Sequence, residues 1–125
     1  MTLLAAARAA YGAPAAPIRT PRTVEYEAFA RVTARIKAAA AKGKPGFADL
    51  AFALHDNRRL WTTLAADVAE ADNGLPQQLR AQLFWLSEFT DVHSRQVLAG
   101  EAEAAVLVEI NTAVMRGLRG EGGAG

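Results

Sequence analysis

The sequence predicts an all-α protein, a small single-domain bundle of about four helices. Alanine is abundant and β-branched residues rarely form runs, which favours helix. Large apolar residues recur every three or four positions in separate stretches, as they do on one face of a helix. Clusters of proline and glycine separate these stretches. The chain has 125 residues, the usual length of one domain.

The first 20 residues are predicted to form an N-terminal segment with a proline-rich hinge. Residues 1–10 are interpreted as a weak helix and not as a targeting segment, because they have no basic leading part and Arg8 interrupts the apolar run. Proline fixes φ and lacks an N–H donor, so no helix is expected to continue through residues 13–17. Thr20 is the expected N-cap of the next helix and Pro21 its first residue.

Two long helices are predicted after the hinge. The first covers about 21–41 and ends at the Gly43–Gly46 cluster. The second covers about 47–69. Their apolar faces are Val24, Ala28, Phe29, Val32 and Ile36 for the first, and Phe47, Leu50, Leu54, Trp61, Leu64 and Val68 for the second.

A third helix is predicted from Pro76 to Leu98, after a turn at residues 72–76. It has one apolar face with Leu79, Leu83, Leu86 and Val97, and a second with Trp85, Phe89 and Val92. This is more apolar surface than one neighbouring helix needs, so we expect the third helix to be central or to contact a partner. Trp61 and Trp85 are both large enough to anchor either the core or an interface.

The last predicted helix begins near Ala102, after Gly100, and ends near Arg116. Its expected inward residues are Val106, Ile110, Ala113 and Val114. From Gly117 onward glycine is too frequent for stable helix. The predicted helical domain therefore covers 21–118, and residues 119–125 are expected to be a flexible tail.

Several kinds of chemistry are not expected. The chain has no cysteine, which excludes disulfides, thiolate metal sites and a cysteine nucleophile. The two histidines lack metal-ligand spacing, and no catalytic motif is present. No apolar run approaches the roughly 18 residues of a membrane span. We therefore expect a protein that is not an enzyme, with no metal, no cofactor and no membrane insertion.

Asn57 is the polar exception on the inward stripe of the second helix, and Arg58 follows it. A buried polar group costs about 1–3 kcal/mol unless it finds a hydrogen-bond partner. Either the fold or a bound protein must supply the hydrogen-bond partner of Asn57, and the sequence leaves both possibilities open.

Basic residues are concentrated at the front of the chain. Residues 1–46 contain eight basic and two acidic residues, although the whole chain carries a net charge of only +1. A basic surface that contacts RNA is one interpretation, and an ordinary solvated face is the other. The residues concerned are Arg31, Arg35, Lys37, Lys42 and Lys44, extended by Arg58 and Arg59 if the helices pack antiparallel.

A series of short motifs resembles one known family. The motifs are Thr23-Val24-Glu25-Tyr26-Glu27, Asn57-Arg58-Arg59-Leu60-Trp61, Asp72-Asn73-Gly74-Leu75-Pro76, Leu79-Arg80-Ala81 with Leu83, and Val108-Glu109-Ile110-Asn111 with Met115 and Gly117-Leu118. In this order and spacing they resemble the FlaF family of flagellar biosynthesis regulators, from about Tyr11 to Leu118.

The resemblance implies a cytoplasmic accessory protein that promotes flagellin synthesis and export, with flagellin as its partner. A flagellin-binding chaperone is the first interpretation, and a post-transcriptional regulator associated with RNA or with the regulator FlbT is the alternative. Helix-in-groove binding of an amphipathic flagellin segment would suit the second apolar face of the third helix. The expected partner-binding residues are Arg58, Arg59, Arg80, Trp85 and Phe89. The expected structural or motif residues are Asn57, Leu60, Trp61, Asn73, Pro76 and Asn111.

Overall fold

Four α-helices make up the computed structural model over residues 21–70 and 74–118, which are the residues it describes. They are α1 (Pro21–Ala41), α2 (Phe47–Val68), α3 (Gln77–Leu98) and α4 (Ala105–Leu118). A short 3-10 turn, Lys44–Gly46, joins α1 to α2, and no strand occurs in these ranges. The all-α fold class is confirmed. The predictions for residues 1–20, Asn73 and the tail from residue 119 lie outside the described residues.

Glycines with positive φ end two of the helices. Gly43 has a φ of 66° after α1, and Gly100 has a φ of 78° after α3. At the end of α3, the Glu101 N–H donates to the Gln96 carbonyl at 2.8 Å and the Gly100 N–H donates to the Val97 carbonyl at 3.0 Å. This is the Schellman arrangement, which requires a left-handed residue that glycine adopts without steric cost.

The last helix differs from its predicted bounds at both ends. The Ala104 carbonyl accepts the first helical bonds, from Leu107 N–H at 3.0 Å and Val108 N–H at 3.3 Å. α4 therefore begins at Ala105 and not near Ala102, because the Schellman turn holds the chain out of helix through Glu101. The helix continues through Gly117 to Leu118, two residues beyond the predicted end.

The helices pack around a core made of two apolar clusters. α2 packs against α1 and α3, α1 also packs against α4, and α3 meets α4 over a shorter contact. Phe29 and Trp61 meet edge to face, with ring centroids 5.7 Å apart. One cluster contains Phe29, Trp61, Leu64, Val68, Leu75 and Leu83, and the other contains Val32, Ile36, Ala53, Leu54, Val97, Ala104 and Leu107.

Three apolar residues that the sequence placed on inward faces or offered as core anchors are exposed. Phe47, the first residue of α2, is 52% exposed. Trp85 is 61% exposed, so of the two expected possibilities it does not anchor the core. Ala113 is also exposed, because the inward face of α4 is centred on Leu107 and the polar Asn111.

Candidate interaction surface

Asn111 lies at the centre of a buried polar network that joins three helices. Its Oδ1 accepts a hydrogen bond from the indole Nε1 of Trp61 at 2.9 Å. Its Nδ2 donates to Asn57 Oδ1 at 2.8 Å and to Thr33 Oγ1 at 3.1 Å. All four residues are buried, so no partner reaches them without opening the bundle. Asn57 and Trp61 are thus contacts within the fold.

Two buried polar atoms have no hydrogen-bond partner among the described residues, and only the first belongs to the network. These are Asn57 Nδ2 on α2 and Thr90 Oγ1 on α3. The neighbouring hydroxyl of Ser94 donates instead to the Thr90 backbone carbonyl at 2.7 Å. Each unpaired buried polar atom lowers the stability of the fold.

Arg58 forms an ion pair between α2 and α3. Its Nη2 lies 2.6 Å from Asp91 Oδ1, and its Nε donates to the same oxygen at 2.8 Å. Arg95 Nη2 contacts the other carboxylate oxygen of Asp91 at 3.1 Å. All three side chains are more than one third exposed, so the cluster contributes modestly to stability. A partner of Arg58 would have to share the guanidinium with Asp91.

Arg80 binds the C-terminal end of α2. Its Nε donates to the Val68 carbonyl at 2.8 Å, and its Nη2 donates to the Glu70 carbonyl at 2.7 Å. A guanidinium at this position satisfies carbonyls that lack helical partners and complements the helix dipole. Both contacts connect α3 to the residues at the end of α2. The position of Arg80 within its own helix does not reveal them.

Two motif residues flank these contacts. Leu60 is half-buried and packs against the cluster that contains Phe29 and Trp61. Pro76 is exposed and is the N-cap of α3. Neither offers a polar side-chain group for chemistry.

The basic residues of α1 and α2 are partly paired with carboxylates. Arg35 Nη1 lies 2.6 Å from Asp56 Oδ2, and Lys42 Nζ lies 3.2 Å from Asp49 Oδ2. The hydrogen bond from Arg35 is the largest effect and holds the pKa of Asp56 below its ordinary value of 3.8. Desolvation is the next largest effect and raises this pKa, and the charges of Arg35 and Arg59 lower it further. Arg59 itself is exposed and lies between two shallow grooves, one on each side of α2.

An uncovered apolar surface runs along α3. We call it the α3 face and define it as Trp85, Phe89 and Val92. Trp85 is 61% exposed, Val92 is 47% exposed and Phe89 is half-buried. Their spacing of three, four and seven residues places them on one side of the helix. Phe84, which is also exposed, lies beside this face.

The aromatic rings of the α3 face continue into the core as a stack. Trp85 and Phe89 are stacked with centroids 5.5 Å apart, and Phe89 and His93 are stacked with centroids 5.3 Å apart. His93 is nearly buried, and its Nε2 is 2.8 Å from the Glu103 carbonyl. The exposed indole therefore stacks on Phe89, whose ring stacks in turn on the nearly buried imidazole of His93.

Other large apolar side chains are exposed away from α3. Phe52 on α2 is 67% exposed and lines a shallow groove with Arg35, Lys42 and Asp49. It stands without a stacked aromatic neighbour among the described residues. Isolated exposed hydrophobic residues are common on soluble proteins, so Phe52 by itself does not indicate an interaction site.

Within residues 21–70 and 74–118, no helix is long and apolar enough to cross a membrane. No group of three or more histidine, aspartate or glutamate side chains in these ranges is arranged to hold a metal ion.

The fold and its surface define a small helical protein with a polar centre inside the bundle and an uncovered aromatic face on one helix. The family model for flagellar protein FlaF matches residues 7–118. The chain belongs to the FlaF family, and it is a flagellar protein. Comparison with curated proteins and with solved structures gives no match.

Proposed function

We propose that this protein is a cytoplasmic accessory factor of flagellin production that binds flagellin and keeps it competent for export. The family match supports a flagellar role. The observation that carries the proposal is the exposure of Trp85 and Val92 beside the stacked ring of Phe89. A row of aromatic and aliphatic side chains on one helix suits the apolar stripe of an amphipathic helix.

Flagellin is a suitable occupant because its terminal segments are amphipathic and helix-forming, as the family resemblance implies. Such a segment is unpaired before the filament assembles. Covering its apolar stripe on the α3 face would suppress premature association, because each partner then buries apolar area that water would otherwise contact. Arg59 and Arg95 have exposed guanidinium groups that can pair with acidic residues of the bound segment.

A pull-down with purified flagellin tests this proposal. Trp85→Ala is expected to reduce capture about tenfold or more, because a central aromatic anchor of an interface contributes at least 1–2 kcal/mol. Phe52→Ala is the matched control, since it removes an aromatic ring that is slightly more exposed and lies on another helix. Equal capture by wild type and the folded Trp85→Ala variant would place the binding surface elsewhere. No capture by wild type would reject the chaperone function.

The basic groove between α1 and α2 supports a second candidate, which is a regulator that contacts RNA. Arg31 and Arg59 line this groove, and neither has an ion-pair partner among the described residues. Phosphate contacts release counterions, so RNA binding would weaken steeply with salt. Retention of the flagellin leader RNA at low salt, lost in an Arg31→Ala, Arg59→Ala variant, would favour this candidate. Co-purification with FlbT in the absence of both flagellin and RNA would instead indicate a scaffold.

A further inference from the structure

The charged side chains beside the α3 face have a self-complementary order. Glu88 and Arg95 are seven residues apart, so they project from the same side of α3, next to the row formed by Trp85 and Val92. Glu88 is exposed and has no ion-pair partner among the described residues. Arg95 is exposed and gives one of its five N–H donors to Asp91.

We propose that the α3 face is also a homodimer interface, in which α3 packs antiparallel against α3 of a second copy. The two-fold axis would pass between Asp91 and Val92. Glu88 and Arg95 lie at equal distances on either side of that midpoint, about 5 Å along the helix at 1.5 Å per residue. The axis therefore brings Glu88 of each copy opposite Arg95 of the other, and forms the same ion pair twice.

The apolar residues fit the same register. Val92 lies beside the axis and meets its own equivalent. Trp85 comes to the level of residue 98 of the second copy, next to the exposed Ala99, whose short side chain leaves room for the indole. Each copy thus covers the apolar surface that the fold of the other copy leaves exposed. A contiguous exposed apolar surface favours such an association.

The interface is small, because it consists of one helix face from each copy. Interfaces of this kind, below about 1,200 Å² in total, are typically weak and reversible. Flagellin would compete with the second copy for Trp85 and Phe89, so the dimer would protect the α3 face only while flagellin is absent. This dimer does not depend on flagellin binding and can be tested by itself.

Sedimentation equilibrium over a concentration series from about 1 μM to about 1 mM tests the proposal. Wild type is expected to shift from monomer to dimer within this range. Glu88→Arg and Arg95→Glu are each expected to raise the dimer Kd about tenfold, because two attractive pairs become repulsive at once. The double variant with both reversals is expected to return to within about threefold of wild type.

Two controls separate the charge pair from general effects. Glu109→Arg makes the same charge change on an exposed position of α4 and is expected to leave the Kd unchanged. Trp85→Ala is expected to raise the Kd by at least about tenfold. A monomer at every concentration, a dimer that resists both single reversals, or a double variant that dimerises no better than the single ones would overturn the proposal.

Flagellin capture by Glu88→Arg distinguishes this inference from the proposed function. The substitution retains Trp85, Phe89 and Val92, so capture is expected to equal or exceed that of wild type. A variant that loses the dimer and retains flagellin shows that the two interactions are separate uses of one surface.

Discussion

Trp61 and Asn111 are 50 residues apart in the chain, and the indole Nε1 of Trp61 donates a hydrogen bond to Asn111 Oδ1 at 2.9 Å in the centre of the bundle. The same asparagine donates to Asn57 and to Thr33, so one side chain of α4 fixes the positions of α1 and α2. A buried amide with three partners accepts only one register of these helices.

Replacement of Asn111 by alanine is expected to lower the free energy of unfolding by about 3 kcal/mol. The change leaves the indole N–H of Trp61 and the side-chain Oδ1 of Asn57 buried without this partner. Urea titration followed by circular dichroism measures the effect. Thr112→Ala is the control, because the Thr112 hydroxyl bonds only to a carbonyl of its own helix. Equal losses for the two variants would show that the network contributes no special stability.

Arg80→Ala is expected to lower the free energy of unfolding by about 1–2 kcal/mol, because two carbonyls at the end of α2 lose their donor. Arg95→Ala removes an exposed arginine of the same helix and is expected to cost less than about 0.5 kcal/mol. The melting temperatures of the two variants give the comparison. If Arg95→Ala proves as costly as Arg80→Ala, the capping contacts are not a major source of stability.

Gly46→Ala is expected to destabilise the protein by about 1–3 kcal/mol. A Cβ at this buried glycine would overlap the Ala39 carbonyl oxygen and lie 2.8 Å from Lys42 Cβ, so the turn between α1 and α2 would have to open. Gly74→Ala is the matched control, because its Cβ would meet nothing within 4 Å. Thermal unfolding of both variants tests this expectation, and an unchanged melting temperature for Gly46→Ala would contradict it.

The ion pair between Arg35 and Asp56 gives a pH dependence with a definite sign. Since the pKa of Asp56 is lower in the folded state than its ordinary value of 3.8, the carboxylate stabilises the fold fully above that value. The contribution is lost as the pH falls through the lower folded pKa. Wild type is therefore expected to be more stable than Asp56→Asn at pH 7, and the difference should disappear once the pH is below the folded pKa of Asp56. A difference that persists at acid pH would mean that Asp56 acts through packing and not through its charge.

Apolar periodicity was sufficient to predict the helices, since the bounds of α1 and most of α2 and α3 follow from proline, glycine and the recurrence of large side chains. It was less informative for α4. There the inward face is centred on Leu107 and Asn111. A prediction from apolar residues alone assigns Asn111 to the solvent side of the helix, because asparagine is polar. Asn57 was recognised as an exception on its stripe, but its partner lies 54 residues away and no local pattern connects the two.

The candidate surface was predicted only in part. The second apolar face of α3 was visible from the spacing of Trp85, Phe89 and Val92. The contacts of Arg58 and Arg80 were not, because both cross from one helix to another and depend on how the helices pack. Arg80 has a role in the fold, so Trp85 is the better residue for testing partner binding. Removal of the exposed Trp85 side chain leaves the core intact.

The chain has two tryptophans in opposite environments, with the Trp61 indole enclosed and the Trp85 indole largely in water. Intrinsic fluorescence therefore separates two events without any label. Occupation of the α3 face should shift the emission of Trp85 to shorter wavelength and shield it from a soluble quencher, whereas unfolding should expose Trp61 and shift the emission to longer wavelength. Trp85→Phe would silence the surface signal and leave the interior one.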